Sequence, residues 1–248
     1  MGLYEQIADE YDQITGESAR AAAAEAFLRE LCRRYGVASA LDVACGTGLH
    51  AVLLARMSVR VTASDISAAM LARARRRAAE AGVGVQWAQA PMQAIDRHAP
   101  GPFDAVLCLG NSLPHLLTPA DLDAAAGAFA AVLTPGGVAA IGVLNYARIL
   151  ARGERIVGVT RAGGAEHVRF YDFLGERVQF NVLTLRWSAD GTCRTELTGT
   201  PLRPYVRAEI EAALAAHGFG RIEAFGGMQF APFDERQSDS LLLVARRG

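Results

Sequence analysis

The chain has 248 residues, with 25 basic and 26 acidic side chains and a formal charge of −1. A chain of this length buries about 70–75% of its unfolded surface, which is enough for one α/β domain. The near-zero charge argues against a general nucleic-acid binder. The N-terminal sequence is amphipathic and charged rather than signal-like, and no apolar run is long enough to span a membrane. We therefore expect a cytoplasmic protein with no nucleic-acid or membrane partner.

The basic and sulfur-containing residues exclude further chemistries. All 25 basic residues are arginine, so the chain has no lysine for a Schiff base or for a Walker-type phosphate loop. The four cysteines show no CxxC spacing, and the five histidines form no HxxxH pair. A zinc framework and a disulfide scaffold are therefore not expected.

Strands and helices alternate through the first part of the chain. An Ala-rich helix is predicted over residues 17–36, ending at Gly36. Apolar runs that predict strands follow at 39–45, 59–65, 83–90, 103–110 and 138–144. Helical patterns lie between them at 49–57, 67–82 and 117–133. This alternation predicts a doubly wound α/β fold, a parallel sheet with helices on both faces.

The spacing of apolar side chains along the sequence changes after Asn145. Residues 156–200 alternate apolar and polar side chains, with glycine turns between the runs, which is typical of antiparallel hairpins. A helix at 206–220 and a last strand at 239–247 return to the main fold. The predicted organisation is one domain over 1–248 with four parts: an N-terminal helical lid at 1–37, a core at 38–145, a β-rich insert at 146–205, and the last helix and strands at 206–248.

A glycine-rich turn follows the first predicted strand. Gly46 and Gly48 allow a ligand to approach the backbone, and the next helix offers free N–H groups. Asp65 ends the second strand, where its carboxylate can accept both hydroxyls of a ribose. The same residues also fit a dinucleotide fingerprint, Gly46-x-Gly48-x-x-Ala51 with an acid about 20 residues further on. An NAD-dependent oxidoreductase is therefore an alternative on this evidence.

Three features favour a different ligand. A helical segment precedes the first strand, whereas dinucleotide domains often begin with that strand. Asp42 lies in the strand and turn, where it would repel a pyrophosphate but favour a cation. The fourth strand ends in Cys-Leu-Gly-Asn-Ser-Leu-Pro-His (108–115), which places polar groups over the ligand.

The ordered motifs LDVACGTG, VTASD, FDAVLCLGNSLPHL and LTPGG resemble class I S-adenosylmethionine-dependent methyltransferases. Together with NYARIL, they more narrowly resemble the glycine N-methyltransferase-like branch. The resemblance implies a Rossmann-like sheet with an antiparallel last strand and a β-rich insert that roofs an acceptor pocket. It implies S-adenosylmethionine as cofactor, S-adenosylhomocysteine as product, no metal, a small-molecule acceptor and a monomer or homodimer.

The resemblance also implies a set of cofactor contacts. Asp65 would bind the ribose, Arg20 the cofactor carboxylate, and Tyr4 and Tyr11 would close a lid. The other positions carried over are Asp42, Ala44, Gly46, Gly48, Ile66, Met70, Leu109, Gly110 and Asn111. The third strand usually ends in an acid or amide that recognises adenine, but here it is followed by Pro91 and Met92. We expect the Met92 backbone and apolar packing to hold the adenine.

The acceptor side departs from the branch at one position. Where glycine N-methyltransferases carry an arginine that grips the substrate carboxylate, this chain has Leu144. Glycine is therefore not the expected substrate, unless Arg169 or Arg203 of the insert replaces that arginine. Asn145 and Tyr146 match the Asn-Tyr of the branch and are candidate substrate contacts, with packing as the alternative.

Candidate catalytic residues follow the fourth strand. His115 is a candidate base or substrate-orienting group, with a structural role as the alternative. Asn111 would orient the nucleophile or satisfy the turn. An amine acceptor is preferred, with an oxygen acceptor that uses His115 as base as the runner-up. A non-catalytic module that binds the cofactor is a third possibility. The insert aromatics, some of which would form sheet core, are expected to roof the pocket: Phe170, Tyr171, Phe173, Phe180 and Trp187.

Overall fold

The computed structural model describes residues 2–99 and 101–248, with the backbone alone for residues 17–20. The helices are α1 (Leu3–Ile7), α2 (Tyr11–Thr15), α3 (Glu17–Tyr35), α4 (Leu49–Arg56), α5 (Ala68–Glu80), α6 (Pro119–Val132), α7 (Tyr146–Arg152) and α8 (Arg207–Ala216). The strands are β1 (Ser39–Val43), β2 (Arg60–Asp65), β3 (Gln86–Gln89), β4 (Phe103–Cys108), β5 (Leu133–Leu144), β6 (Ile156–Ala162), β7 (Ala165–Leu174), β8 (Arg177–Trp187), β9 (Cys193–Leu202), β10 (Phe219–Phe225) and β11 (Ser240–Arg247). Short 3₁₀ turns lie at Met92–Arg97 and Leu113–His115.

The main sheet has seven strands in the order β10-β11-β5-β4-β1-β2-β3. The pairs from β5 to β3 are parallel, whereas β11 runs antiparallel to both β5 and β10. All five residues of β1 are buried, as expected for a central parallel strand covered on both faces. The predicted doubly wound sheet with an antiparallel last strand is confirmed. The strand order reverses between β1 and β4, which is where such sheets bind ligands.

Local sequence explains where the helices begin and where one prediction was wrong. The Ser67 hydroxyl accepts from the Met70 N–H at 3.1 Å and begins α5, and Thr118 forms a capping box with Asp121 at the start of α6. The helix predicted through residue 220 ends earlier, at Ala216. Gly218 has a φ of +83° and stops the helix, so the chain enters β10 at Phe219.

The insert folds into a four-stranded antiparallel sheet in the order β6-β7-β8-β9. Its inner face buries Tyr171, Val178 and Leu202 together with Tyr146 of α7. Helices α1 and α2 lie between this sheet and the core: Ile7 and Ile14 pack against Val182 of β8. The predicted insert strands are therefore confirmed as one sheet over the carboxyl end of the core.

In the part of the chain that the structure describes, no helix is long and apolar enough to cross a membrane. The same residues include no group of three or more His, Cys, Asp or Glu side chains placed to hold a metal ion.

Candidate active site

The glycine-rich turn between β1 and α4 forms the floor of the site. Ala44, Gly46 and Gly48 all have positive φ, at 52°, 55° and 80°. A Cβ at Gly48 would lie 2.8 Å from the Cβ of Ala74, so this glycine allows α5 to pack closely. At Gly46, a Cβ would meet only the Tyr11 ring at 3.9 Å, which leaves the turn open beneath that ring. Left-handed backbone at the non-glycine Ala44 is the kind of strain that accumulates at ligand sites.

Asp65 ties the turn to the end of β2. Its two carboxylate oxygens accept from the backbone N–H groups of Gly46 at 2.8 Å and of Ser67 at 2.9 Å. Burial raises the pKa of Asp65, and the hydrogen bonds from Ser67 and Gly46 oppose that rise. Each carboxylate oxygen keeps a lone pair beyond these bonds. The carboxylate is therefore oriented by the backbone and able to accept hydroxyl groups of a ligand.

Asp42 lies beneath the turn and is 1% exposed. Burial, with a further contribution from the charge of Asp65, raises the pKa of its carboxyl to about 8, although the Ala51 N–H opposes the shift. Its Oδ2 atom has no hydrogen-bond partner among the residues that the structure describes. A buried carboxyl in this state is stabilised as a carboxylate by a neighbouring cation.

An apolar edge continues the site beyond Asp65. Ile66 is 67% exposed, and its carbonyl accepts from the Gln89 amide at 3.1 Å. Pro91 is exposed, whereas Met92 and Met70 are buried below the surface. Exposed apolar side chains beside a carboxylate that can accept hydroxyl groups fit the flat face of a nucleobase. The predicted cofactor positions thus come together around one turn, while Arg20 lies outside the described side chains.

A cavity of about 490 Å³ lies on the other side of the Tyr11 ring, which lines the cavity and also lies over Gly46 of the turn. Leu109, Gly110 and Asn111, from the end of β4, line one side of it, and Leu144, from the end of β5, lies beside them. The insert and the N-terminal helices line further walls with Arg169, Phe180, Val182, Tyr4, Tyr11 and Ile14. Residues 226–229 and 239–242 also line the cavity. The lining is predominantly apolar with a few polar groups, as in pockets that bind small molecules.

Asn111 holds the ends of β4 and β5 together. It adopts a left-handed backbone with a φ of +65°. Its Oδ1 accepts from the Leu144 N–H at 2.9 Å, and its Nδ2 donates to the Tyr146 hydroxyl at 2.9 Å. Both ends of the amide are therefore engaged in positioning the cavity wall.

His115 lines the same cavity and contacts the N-terminal helix. Its Nε2 lies 2.8 Å from the Tyr4 hydroxyl. Desolvation lowers the pKa of His115 to about 4, so the imidazole is neutral at physiological pH. The Tyr4 ring also packs edge-on against the Tyr11 ring, at 6.0 Å between centroids. This contact closes α1 over the cavity.

Sequence reasoning missed a second attachment of the N-terminal segment. Asp12 accepts from the Thr47 hydroxyl at 2.6 Å and pairs with Arg77 at 2.6 Å. Glu10 forms an ion pair with Arg186 of β8, which links the segment to the insert. These partners lie 35 to 176 positions apart. No local sequence signal marks such pairs.

Two predicted substrate contacts lie outside the cavity lining. Tyr146 is 1% exposed, with its hydroxyl 3.3 Å from that of Tyr171. Asn145 is buried; it caps α7 through Arg148 and donates to the carbonyl oxygens of Glu235 and Ser238 at 2.8 and 2.9 Å. Both side chains support the wall that carries Leu144.

The combination of features defines a Rossmann-like enzyme that binds an adenosyl ligand at the switch point of its sheet. A carboxylate oriented for ribose, an exposed apolar edge and a buried carboxyl that favours a cation fit S-adenosylmethionine, whose sulfonium carries a positive charge. Asp65, Ile66 and the turn at Gly46 would hold it, and the Leu109–Asn111 segment would border its methyl group.

Comparisons with known proteins agree with this fit. Residues 40–137 match the family model of the methyltransferase domain. A glycine/sarcosine N-methyltransferase from Parasynechococcus marenigrum is 33% identical over 226 residues, covering 91% of this chain and 78% of that protein. A methyltransferase structure from Clostridium acetobutylicum shares the fold, with a TM-score of 0.83, 18% identity and 99% coverage of both chains. A sugar N-methyltransferase structure from a Streptoalloteichus species has a TM-score of 0.73 and 28% identity, covering 94% of this chain and 90% of that one.

The chain belongs to the class I S-adenosylmethionine-dependent methyltransferases. Its cofactor is S-adenosylmethionine, and the family assignment decides against the dinucleotide alternative.

Proposed function

We propose that this enzyme methylates the amine nitrogen of a small molecule held in the 490 Å³ cavity. The observation that carries the proposal is the position of that cavity between the cofactor turn and the insert sheet. Leu109 and Asn111 lie on its cofactor side, and Arg169 and Phe180 lie on its insert side. An acceptor bound there faces the ends of β4 and β5.

The relatives support an amine acceptor. The proteins similar to this chain include an enzyme named for glycine and sarcosine and another named for a sugar, and both are N-methyltransferases. These names describe two chemically different amines. They support the reaction class for this chain without selecting its substrate.

The geometry of His115 favours nitrogen over oxygen. An alcohol or phenol needs a base to remove its proton, whereas an amine only has to be neutral when it attacks. Nε2 of His115 is engaged by the Tyr4 hydroxyl at 2.8 Å, and a pKa of about 4 makes the imidazole a weak base. We infer that His115 orients the cavity wall and the acceptor rather than removing a proton.

The protein's contribution is then positioning and exclusion of water. S-adenosylmethionine supplies a methyl group that is already activated by its sulfonium. Orientation of two reactants can contribute about 7–11 kcal/mol to catalysis. Asn111 fixes the wall beside the reacting atoms, and the Tyr4 and Tyr11 rings cover the cavity. The buried carboxyl of Asp42 would stabilise the positive charge of the cofactor's sulfonium.

Arg169 is the candidate for acceptor recognition. It lines the cavity, whereas Arg203 pairs with Glu209 at 3.0 Å and lies outside the lining. A guanidinium in a mainly apolar cavity binds carboxylate or other anionic oxygens well. We propose that the acceptor carries such an oxygen on the side away from its amine. Leu144 makes the wall beside Asn111 apolar, so we expect an acceptor with an apolar part between its amine and that oxygen, which glycine lacks.

A matched set of acceptors tests this function. Release of S-adenosylhomocysteine would be measured with pairs of compounds that share a carbon skeleton and differ only in an amine or a hydroxyl. We expect turnover with amines, faster for those that carry a carboxylate, and little with the matched alcohols or with glycine. Faster turnover of the alcohols would overturn the nitrogen assignment.

We also propose a cytoplasmic location. Cys32, Cys45, Cys108 and Cys193 are all free thiols. Free cysteines are typical of reducing compartments, which supports the proposal.

A further inference from the structure

A second cavity, of about 440 Å³, is lined mainly by side chains of α4 and α5. Thr47 of the glycine-rich turn and Asp12 of α2 also line it. Within the described chain, it shares no lining residue with the cavity proposed for the acceptor. Its arginines have no part in the proposed methyl transfer, so the cavity calls for a separate explanation.

Four arginines meet at this second cavity. Arg73, Arg76 and Arg77 lie at positions i, i+3 and i+4 of α5, which places them on one face of that helix. Arg56, the last residue of α4, reaches the cavity from the neighbouring helix. Like charges that share a concave space repel one another unless anions neutralise them. The cavity therefore favours negatively charged groups.

Acids of the N-terminal segment neutralise two of these arginines. Arg73 pairs with Asp9 at 2.9 Å, and Arg77 pairs with Asp12 at 2.6 Å. The other carboxylate oxygen of Asp12 accepts from the Thr47 hydroxyl at 2.6 Å. Both oxygens of Asp12 are therefore engaged, although its side chain lines the cavity.

The other two arginines, Arg56 and Arg76, lack a protein anion. Neither forms an ion pair or a hydrogen bond with any residue that the structure describes. Glu80, the second acid of the lining, is exposed and pairs with neither of them. Two guanidinium groups thus face one cavity without a partner, and their combined charge matches that of a phosphate monoester, which is close to −2 at neutral pH.

The apolar part of the lining indicates which phosphate compounds fit. Leu49, Val52 and Leu53 of α4 line the same cavity as the arginines. Guanidinium groups bind phosphate through paired hydrogen bonds, and apolar side chains gain free energy by covering an organic group. The volume lies in the range of small-molecule pockets. The overall charge of −1 disfavours a nucleic acid as the source of the phosphate.

We propose that the cavity lined by α4 and α5 is a second ligand site, which binds a small organic phosphate through Arg56 and Arg76. The phosphate lies against these two guanidinium groups, and the organic part packs against the apolar side chains of α4. This site goes beyond the proposed methyl transfer and does not depend on the identity of the acceptor.

Calorimetric titration of the full chain with phenyl phosphate tests the proposal. A pH of about 8 and a constant ionic strength keep the probe dianionic and hold non-specific attraction fixed. The wild type is expected to bind one molecule saturably. Arg56→Met and Arg76→Met should each weaken binding roughly tenfold or more, because each removes a charge-assisted contact. Arg75→Met changes an exposed arginine of the same helix outside the lining and should bind as the wild type does.

Two further probes separate the contributions of the ring and the phosphate. Phenol should show no saturable binding, and inorganic phosphate should bind roughly tenfold more weakly than phenyl phosphate. Wild-type affinity for S-adenosylhomocysteine would establish that each variant is folded. Phenyl phosphate should still bind when S-adenosylhomocysteine is already bound, because the two ligands occupy different sites.

Four results would overturn the proposal. The first is a wild type that does not bind phenyl phosphate saturably. The second is unchanged binding in folded Arg56→Met and Arg76→Met, or an equal loss in Arg75→Met. The third is displacement of phenyl phosphate by S-adenosylhomocysteine, which would place the probe in the cofactor site. The fourth is inorganic phosphate that binds as tightly as phenyl phosphate, which would show an anion site without an organic ligand.

Discussion

The two halves of the active site are built in different ways. On the cofactor side, backbone groups of adjacent turns position Asp65, with two N–H donors at 2.8 and 2.9 Å. On the acceptor side, the wall depends on side chains from distant segments, such as the Tyr4–His115 contact across 111 positions. The first half is a property of the sheet and its glycine turn. The second can change with the insert and the N-terminal helices, so acceptor choice can diverge while cofactor binding is kept.

The largest effect is expected from a substitution on the cofactor side of the active site. Asp65→Ala removes the proposed ribose acceptor and leaves two backbone donors without their partner, so we expect S-adenosylhomocysteine to bind roughly 100-fold more weakly. Asp104→Ala is the matched control. That carboxylate accepts from the N–H groups of Ala38 and Ser39 at 3.0 and 2.8 Å, at the opposite end of the strands. It should lower the melting temperature while leaving affinity unchanged. Equal losses of affinity in Asp65→Ala and Asp104→Ala would contradict the assignment of cofactor binding to the carboxyl end of the strands alone.

The next largest effect is expected from a substitution that changes only the acceptor side of the active site. Arg169→Met removes the guanidinium from the cavity, so the KM of a carboxylate-bearing amine should rise roughly tenfold to thirtyfold. Arg177→Met makes the same change at an exposed position of the same sheet and should leave kinetics unchanged. Calorimetry should give wild-type affinity for S-adenosylhomocysteine in both variants. A large loss of that affinity in Arg169→Met would assign the arginine to the cofactor instead.

The buried carboxyl of Asp42, on the cofactor side, makes the free energy of unfolding depend on pH. In the folded, cofactor-free protein its pKa is raised to about 8, against an ordinary value of 3.8. Between these values the folded state binds more protons than the unfolded state. The free energy of unfolding should therefore decrease as pH rises from about 4 to about 8, by at most about 1.4 kcal/mol per pH unit. Denaturant titrations of Asp42→Asn should show a smaller decrease, and parallel curves would contradict the burial of an unpaired acid.

The smallest effect is expected at the contact between the N-terminal lid and the cavity. Tyr4→Phe removes the hydroxyl bound to His115, and we expect kcat/KM for the acceptor to fall about fivefold. Tyr35→Phe is the control, because its hydroxyl donates to Glu223 at 3.2 Å away from the cavity. It should leave kcat/KM unchanged. A Tyr4→Phe enzyme with wild-type kinetics would show that the contact is only packing.

The same contrast explains what the sequence could predict. Gly46, Gly48 and Asp65 lie at strand ends, where periodicity and turn chemistry place them without knowledge of the rest of the fold. The insert strands were also predictable, but not which face would be covered. Tyr171 and Phe180 point inward as expected of a roof, whereas Phe170 and Trp187 point outward. The alternation of side chains along a strand means that consecutive residues lie on opposite faces of the sheet. Which face is buried depends on packing against α1, α2 and α7.

The residues that complete the acceptor half had no local signature. Arg169 resembles every other arginine of the insert in the sequence, and the fold distinguishes it from Arg203 because Arg169 lines the cavity and Arg203 does not. Asn145 and Tyr146 were predicted by resemblance as substrate contacts, with packing as the alternative. Their side chains lie outside the cavity lining, and contact with a bound substrate stays a prediction.

The most direct test of the central claim is to locate the transferred methyl group. The enzyme would be incubated with S-adenosylmethionine labelled with ¹³C at the methyl position and with acceptors that each carry both an amine and a hydroxyl, such as amino sugars and amino acids. The amino acids used would be hydroxy amino acids such as serine, and NMR of the product distinguishes a methyl group on nitrogen from one on oxygen. A labelled methyl on nitrogen is predicted, and a labelled methyl on oxygen would contradict the account.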